Sequence, residues 1–235
     1  MRYLDIPYNN TVLKATIYGS GDPRIFFVHG AADEGSARFD MLRQHLAKVG
    51  IASAAFDCIG HGQTGGDIVG STLEDRLEQA RAVIDAGSFQ KPMIFVGASM
   101  GADTAIRLTQ HYPAAALILF VPAFYPRRAL TAPYKDRFHD VINADEDGWK
   151  DSDTWNIMRE FTGSLLVIGA QNDGLIPSGI YDALDEDTPN AKYKELYTVP
   201  GAPHRILPYL GEHHDEFARV FERVYHIIIG SQSFP

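Results

Sequence analysis

The chain opens with two extended runs, 2–7 and 11–18, separated by Tyr8, Asn9 and Asn10. Asparagine tolerates left-handed backbone angles, so the pair predicts a turn and an N-terminal β-hairpin. After a second turn at 19–23 the pattern changes. Short apolar runs without alternation follow at 25–28, 51–56, 93–96, 116–121, 165–168 and 193–199. Continuous apolar strands suit a parallel sheet whose two faces are both covered by helices. The intervals supply those helices. Residues 38–49 place Phe39, Leu42, Leu46 and Val49 at helical spacing. Residues 71–86 open on Ser71-Thr72-Leu73-Glu74, a capping-box pattern, and carry Leu73, Leu77, Ala80 and Ile84 on one face. A further helix is expected over 102–112, before Pro113, and a closing one over 210–229. A hairpin followed by alternating strand and helix predicts an α/β fold with a doubly wound, mostly parallel sheet, in a single domain over residues 1–235.

One stretch breaks the alternation. From 122 to about 161 the chain is rich in Pro, Tyr, Trp, Arg and Asp and has no clean strand. A connection of that length in a compact domain is usually functional, and a short lid insertion is expected. Its aromatic residues Phe124, Tyr125, Tyr134, Trp149 and Trp155 can form an apolar substrate pocket or pack the lid onto the domain.

Composition narrows the partners. Lys+Arg total 21 against 30 Asp+Glu, a formal net charge of -9 with no compensating basic cluster, so nucleic acid is not expected as a partner. No apolar stretch is long enough for a membrane span. The single cysteine, Cys58, leaves no internal disulfide, and the first residues carry no signal-like apolar run, so a cytoplasmic location is expected. The oligomeric state is left open.

The chemistry is concentrated in three turns that follow strands. Gly97-Ala98-Ser99-Met100-Gly101 stands between a strand and a helix, the setting that a nucleophilic serine on a sharp turn requires. The glycines remove side chains that would collide, and the first N–H groups of the helix face developing negative charge. A serine hydroxyl needs a base within hydrogen-bond reach. Of nine histidines, His29, His61 and His204 lie in Gly/Pro-rich turns after strands. His204 in Pro200-Gly201-Ala202-Pro203-His204 follows the last strand, on the sheet edge that carries Ser99. Asp173 is the only acid in Gly169–Pro177, after the preceding strand, and completes the order Ser…Asp…His. A turn aspartate that braces its own Asp-Gly loop is the competing reading. The tandem His213-His214 points in different directions on a helix, and no metal site is expected.

These motifs resemble those of the α/β-hydrolase superfamily, in its monoacylglycerol-lipase, lysophospholipase and esterase branch. Val28-His29-Gly30-Ala31 resembles that superfamily's oxyanion loop, and Asp57-Cys58-Ile59-Gly60-His61-Gly62-Gln63-Thr64 resembles its Asp-x-x-Gly-His-Gly-x-Ser loop. The surroundings of Asp173 and His204 are similar to its acid and histidine loops. The resemblance spans roughly 24–224 and implies an oxyanion hole built from the backbone N–H groups of Ala31 and Met100, with His29 and His61 stabilising loops. Two positions depart from the pattern: Ala98, where many relatives carry a larger polar residue, and Asp103, an acid one turn from Ser99 that is expected to point away from it. The implied activity is hydrolysis of a small-molecule ester of small to medium acyl size, through an acyl-enzyme and without a cofactor. A thioesterase, an acyltransferase and a carbon–carbon bond hydrolase share the same triad, and a non-catalytic receptor on this fold is the reading from a different class.

Overall fold

The computed structural model describes residues 1–31 and 34–231. The hairpin forms as β1 (Arg2–Tyr8) and β2 (Thr11–Tyr18), antiparallel, with Asn9 at φ 49° in the turn. Six further strands follow: β3 (Ile25–Val28), β4 (Ser53–Asp57), β5 (Met93–Ala98), β6 (Ala114–Phe120), β7 (Ser164–Asn172) and β8 (Tyr193–Pro203). They make one sheet in the order β1-β2-β4-β3-β5-β6-β7-β8, parallel except where β2 pairs with β1 and β4.

The helices are α1 (Asp40–Lys48), α2 (Leu73–Ala86), α3 (Met100–Leu108), α4 (Phe138–Asn143), α5 (Thr154–Glu160), α6 (Gly179–Glu186), α7 (Ile206–Glu212) and α8 (His214–Gly230). Alternate strand residues pack on opposite faces: Phe26 and Val28 face α2, α3, α5 and α6, while Ile25 and Phe27 face α1, α7 and α8. With helices on both sides, every residue of β3 is fully buried, which is why its sequence shows no alternation. Each such Ile, Val or Phe side chain contributes roughly 1.5–3 kcal/mol of burial energy.

Local sequence explains the element ends, with two corrections to the expectations. The capping box of α2 is formed by Thr72 and Asp75, one residue later than Ser71 and Glu74: the Thr72 hydroxyl accepts from the Asp75 N–H (3.1 Å), and Asp75 accepts from the Thr72 N–H (2.9 Å). The closing helix is two helices, α7 and α8, broken at His213, whose φ −121° and ψ 80° are not helical. Residues 122–161 hold α4, α5 and two short 3-10 turns, Arg127–Ala129 and Gly148–Asp151, and no strand. Among the described residues no helix is long and apolar enough to cross a membrane.

Among the described residues, the Thr72–Asp75 pair is the one capping box at a helix start. Thr72→Ala is expected to lower the unfolding free energy by about 1 kcal/mol, read from the midpoint of urea denaturation, with Ser71→Ala leaving it unchanged.

Candidate active site

Between the end of β5 and the start of α3, Ser99 adopts φ 52° and ψ −120°. Such a conformation costs a residue with a side chain on the order of 1–3 kcal/mol, and it throws the hydroxyl off the carboxyl edge of the sheet. Two glycines make room for it. A β-carbon on Gly97 would stand 2.5 Å from the Gly101 carbonyl oxygen, and one on Gly101 would collide with the carbonyl oxygens of Val28 and His29. The turn is then tied down: the Ser99 N–H donates to the Phe120 carbonyl (2.9 Å), and the Ser99 carbonyl accepts from the N–H groups of Ala102 (2.9 Å) and Ala123 (3.2 Å).

β7 and β8 bring the other two side chains to the same edge. His204 Nε2 lies 3.0 Å from Ser99 Oγ, and His204 Nδ1 lies 2.9 and 3.1 Å from the two Asp173 oxygens. Asp173 Oδ1 also accepts from the N–H groups of Leu175 (2.8 Å) and Ile176 (3.0 Å). Burial pushes the Asp173 carboxyl up, but the bonds from His204, Leu175 and Ile176 outweigh it and hold its pKa below the ordinary value. An ionised Asp173 fixes the proton on Nδ1 and leaves Nε2 to accept from the serine. Asp173 therefore both braces its own turn and orients His204.

Met100 opens α3, so its N–H has no acceptor within the helix. Ala31 follows β3 and lines the same cavity as Ser99. The loop before it is fixed from behind: the Cys58 N–H donates to His29 Nε2 (3.0 Å), and His29 Nδ1 donates to the Gly30 carbonyl (2.6 Å). Burial, followed by the charges of Arg76 and His61, holds the His29 pKa far below its usual value, so the ring is neutral in this pair of bonds. Asp57 ties the neighbouring loop, accepting from the N–H groups of Ser36 (2.7 Å) and Gln63 (2.8 Å). Burial pushes the Cys58 thiol up to about 11, which keeps it protonated and unreactive.

Asp103 does not occupy an exposed helix end. It is fully buried and bonds Arg107 at 2.9 and 3.3 Å, and Arg107 in turn bonds Asp153 at 2.6 and 3.2 Å. The acid so close to Ser99 is thereby neutralised within its own helix.

Two cavities meet at Ser99, His204 and Leu175. The smaller, about 270 Å³, is walled by Ala31, Ala98, Val121, Ile206, Leu207 and Pro208, with Arg38 and Arg205 at its rim. The larger, about 1160 Å³, has Phe124, Tyr125, Trp149, Ile176 and Ile180 along its wall and Asp145, Glu146, Asp147, Asp182 and Glu186 around it. Of the aromatic residues expected in a pocket, Phe124, Tyr125 and Trp149 line the large cavity. Tyr134 and Trp155 stand behind it: Trp155 stacks on Phe124 with centroids 4.0 Å apart, and the Tyr134 hydroxyl bonds Met100 Sδ (2.5 Å). Sequence reasoning missed Leu175, Ile206 and Leu207, although each is within three residues of Asp173 or His204; nothing in the sequence signalled Arg38.

Comparisons with known proteins agree with this architecture. The profile of the family described as "Serine aminopeptidase, S33" matches residues 20–144. No curated protein matches the chain by sequence. Among solved structures the chain is similar to Est1E from Butyrivibrio proteoclasticus with ferulic acid bound, at 19% identity and TM-score 0.68 over 94% of this chain and 99% of that one. A monoacylglycerol lipase from Paleococcus ferrophilus superposes with TM-score 0.67 at 19% identity, over 92% and 99% of the two chains. A thioesterase domain from the curacin biosynthetic pathway gives 0.66 at 15%, over 88% and 94%. The α/β-hydrolase fold is thus common to all of them.

The contact at Gly101 has no room to spare. Gly101→Ala is expected to reduce soluble, folded protein sharply and to lower the thermal midpoint of what remains by more than 8 °C, a loss of at least about 2 kcal/mol for a domain of this size. Differential scanning fluorimetry beside Gly174→Ala, whose β-carbon meets open space, checks it.

Proposed function

We propose, on the premise that this chain belongs to the serine aminopeptidase S33 family and has the α/β-hydrolase fold, that it is a serine hydrolase of carboxylic esters. The observation that carries this reading is the unbroken hydrogen-bond series from Ser99 Oγ through His204 to Asp173, at 3.0 and 2.9 Å. As Oγ attacks the ester carbonyl, His204 Nε2 takes its proton and Asp173 stabilises the resulting imidazolium. The N–H groups of Ala31 and Met100 bind the oxyanion, for which one donor is worth on the order of 3 kcal/mol. The tetrahedral intermediate collapses, His204 returns the proton to the departing alcohol, and an acyl group remains on Ser99. A water deprotonated by His204 then releases the acid. These steps call on no cofactor.

The cavities support a substrate that is unequal about its carbonyl. The small apolar lobe, about 270 Å³, suits a short to medium acyl chain, and Ala98 helps to open it. The large lobe suits a bulkier leaving group, covered by a lid formed from residues 122–161 within one domain. Its acidic residues repel phosphate-bearing leaving groups, which favours an ester of an uncharged alcohol over a thioester of a phosphorylated carrier.

Ser99→Ala is expected to abolish ester turnover and fluorophosphonate labelling with the fold intact, and Asp173→Asn to lower kcat by about 10³- to 10⁴-fold; labelling at another residue or near-normal turnover by Ser99→Ala refutes the assignment. Across a panel of p-nitrophenyl esters, kcat/KM is expected to peak at short to medium acyl chains and to fall for the longest. Ala98→Leu is expected to move that peak toward acetate, and an unchanged profile removes the small lobe as the acyl site.

A further inference from the structure

A charge that bonds the oxyanion loop from behind belongs to a residue that the proposed steps do not use. Arg76, on α2, is 1% exposed. Its Nη2 donates to the His29 carbonyl at 2.5 Å and reaches the Gly30 carbonyl at 3.4 Å, while its Nε and Nη1 have no hydrogen-bond partner. Among the described residues it makes no ion pair. A buried guanidinium left without a carboxylate is expensive, because the hydration it loses is not replaced by a partner. A fold that only needed to tie two carbonyls could do so with a neutral donor.

The balancing charge lies elsewhere. Asp103, Arg107 and Asp153 form one bonded series with two acids to one base, Asp103 fully buried and Asp153 half-buried. Arg76 supplies a positive charge from α2, beneath His29 and Gly30. The positive charge of Arg76 is at the loop that ends in Ala31, whereas Asp103 and Asp153 are both bonded to Arg107. A positive charge at that loop favours a negatively charged intermediate at Ser99, because Arg76 is shielded from water and charge acts strongly there.

We propose that Arg76 is a positioning residue for the reaction: it holds the carbonyls of His29 and Gly30 so that the Ala31 N–H faces Ser99, and its unpaired charge favours the oxyanion. This rests on the serine-hydrolase reading above. It acts through the loop and touches no substrate, so its removal affects the charged intermediate and leaves ground-state binding alone.

The test is steady-state hydrolysis of p-nitrophenyl acetate by full-length Arg76→Met, Arg76→Gln and Arg76→Lys, beside inhibition by a trifluoromethyl ketone, whose adduct with Ser99 carries the oxyanion. Arg76→Met and Arg76→Gln are expected to lower kcat at least tenfold with KM within threefold of wild type, and to weaken the ketone in proportion to kcat. Arg76→Lys, which keeps the charge, is expected to recover at least a third of the loss on a logarithmic scale. Arg76→Gln retains donors for the two carbonyls and carries the test if Arg76→Met does not fold. A folded Arg76→Gln within tenfold of wild-type kcat, or a loss confined to KM, or a lysine variant no better than glutamine, overturns the role of Arg76 alone. A wild-type chain inert toward ester, ketone and fluorophosphonate overturns the serine-hydrolase reading and this one with it.

Discussion

Gly101 packs against the carbonyl oxygens of Val28 and His29 so closely that a single methyl group could not fit between them. That contact joins the first turn of α3 to the end of β3, and the geometry of the site follows from it. It sets the Ser99 turn and the loop that ends in Ala31 side by side, although 70 residues separate Ser99 from His29 in the chain. It also confines Ser99 to a φ that its side chain disfavours. The strain is sustained because β6 accepts the Ser99 N–H and two other amides bond its carbonyl. A turn relaxed to ordinary angles would withdraw the hydroxyl from His204.

Around that contact each polar group is held by named partners. Asp173 spends one oxygen on two backbone amides and still faces His204, so a single carboxylate fixes both the loop and the imidazole. His29 is locked between the Cys58 amide and the Gly30 carbonyl as a neutral ring, which removes it from acid–base chemistry despite its place beside the site. Asp103 is turned into its own helix by Arg107. Of these groups, His204 is the one within hydrogen-bond reach of the Ser99 hydroxyl.

The surface of the site is divided as sharply as its interior. Among the described residues, an apolar lobe of about 270 Å³ and an acid-edged lobe of about 1160 Å³ share Ser99, Leu175 and His204 in their walls. Leu175 is 71% exposed, an unusual position for a large apolar side chain, and it stands at the junction of the two. The aromatic residues of 122–161 serve the large lobe in two layers, with Phe124 and Trp149 on the wall and Trp155 stacked behind.

The sheet was legible in the chain, because apolar runs such as 25–28 and 165–168 have no polar face and suit strands covered by helices on both sides. The sequence also marked Ser99, Asp173 and His204, since each sits in a Gly/Pro-rich turn after a strand, and turn chemistry is local. Where local signals overlap, it misplaced elements by a residue or fused them, as at the Thr72–Asp75 cap and the break at His213. Tertiary structure alone decided which side chains share a cavity, that Tyr134 packs against Met100 instead of facing the large lobe, and that Asp103 pairs with Arg107 and Arg107 with Asp153. Those outcomes depend on which distant surfaces meet when the layers close, and charge or aromatic character in a segment does not say which way its side chains will turn.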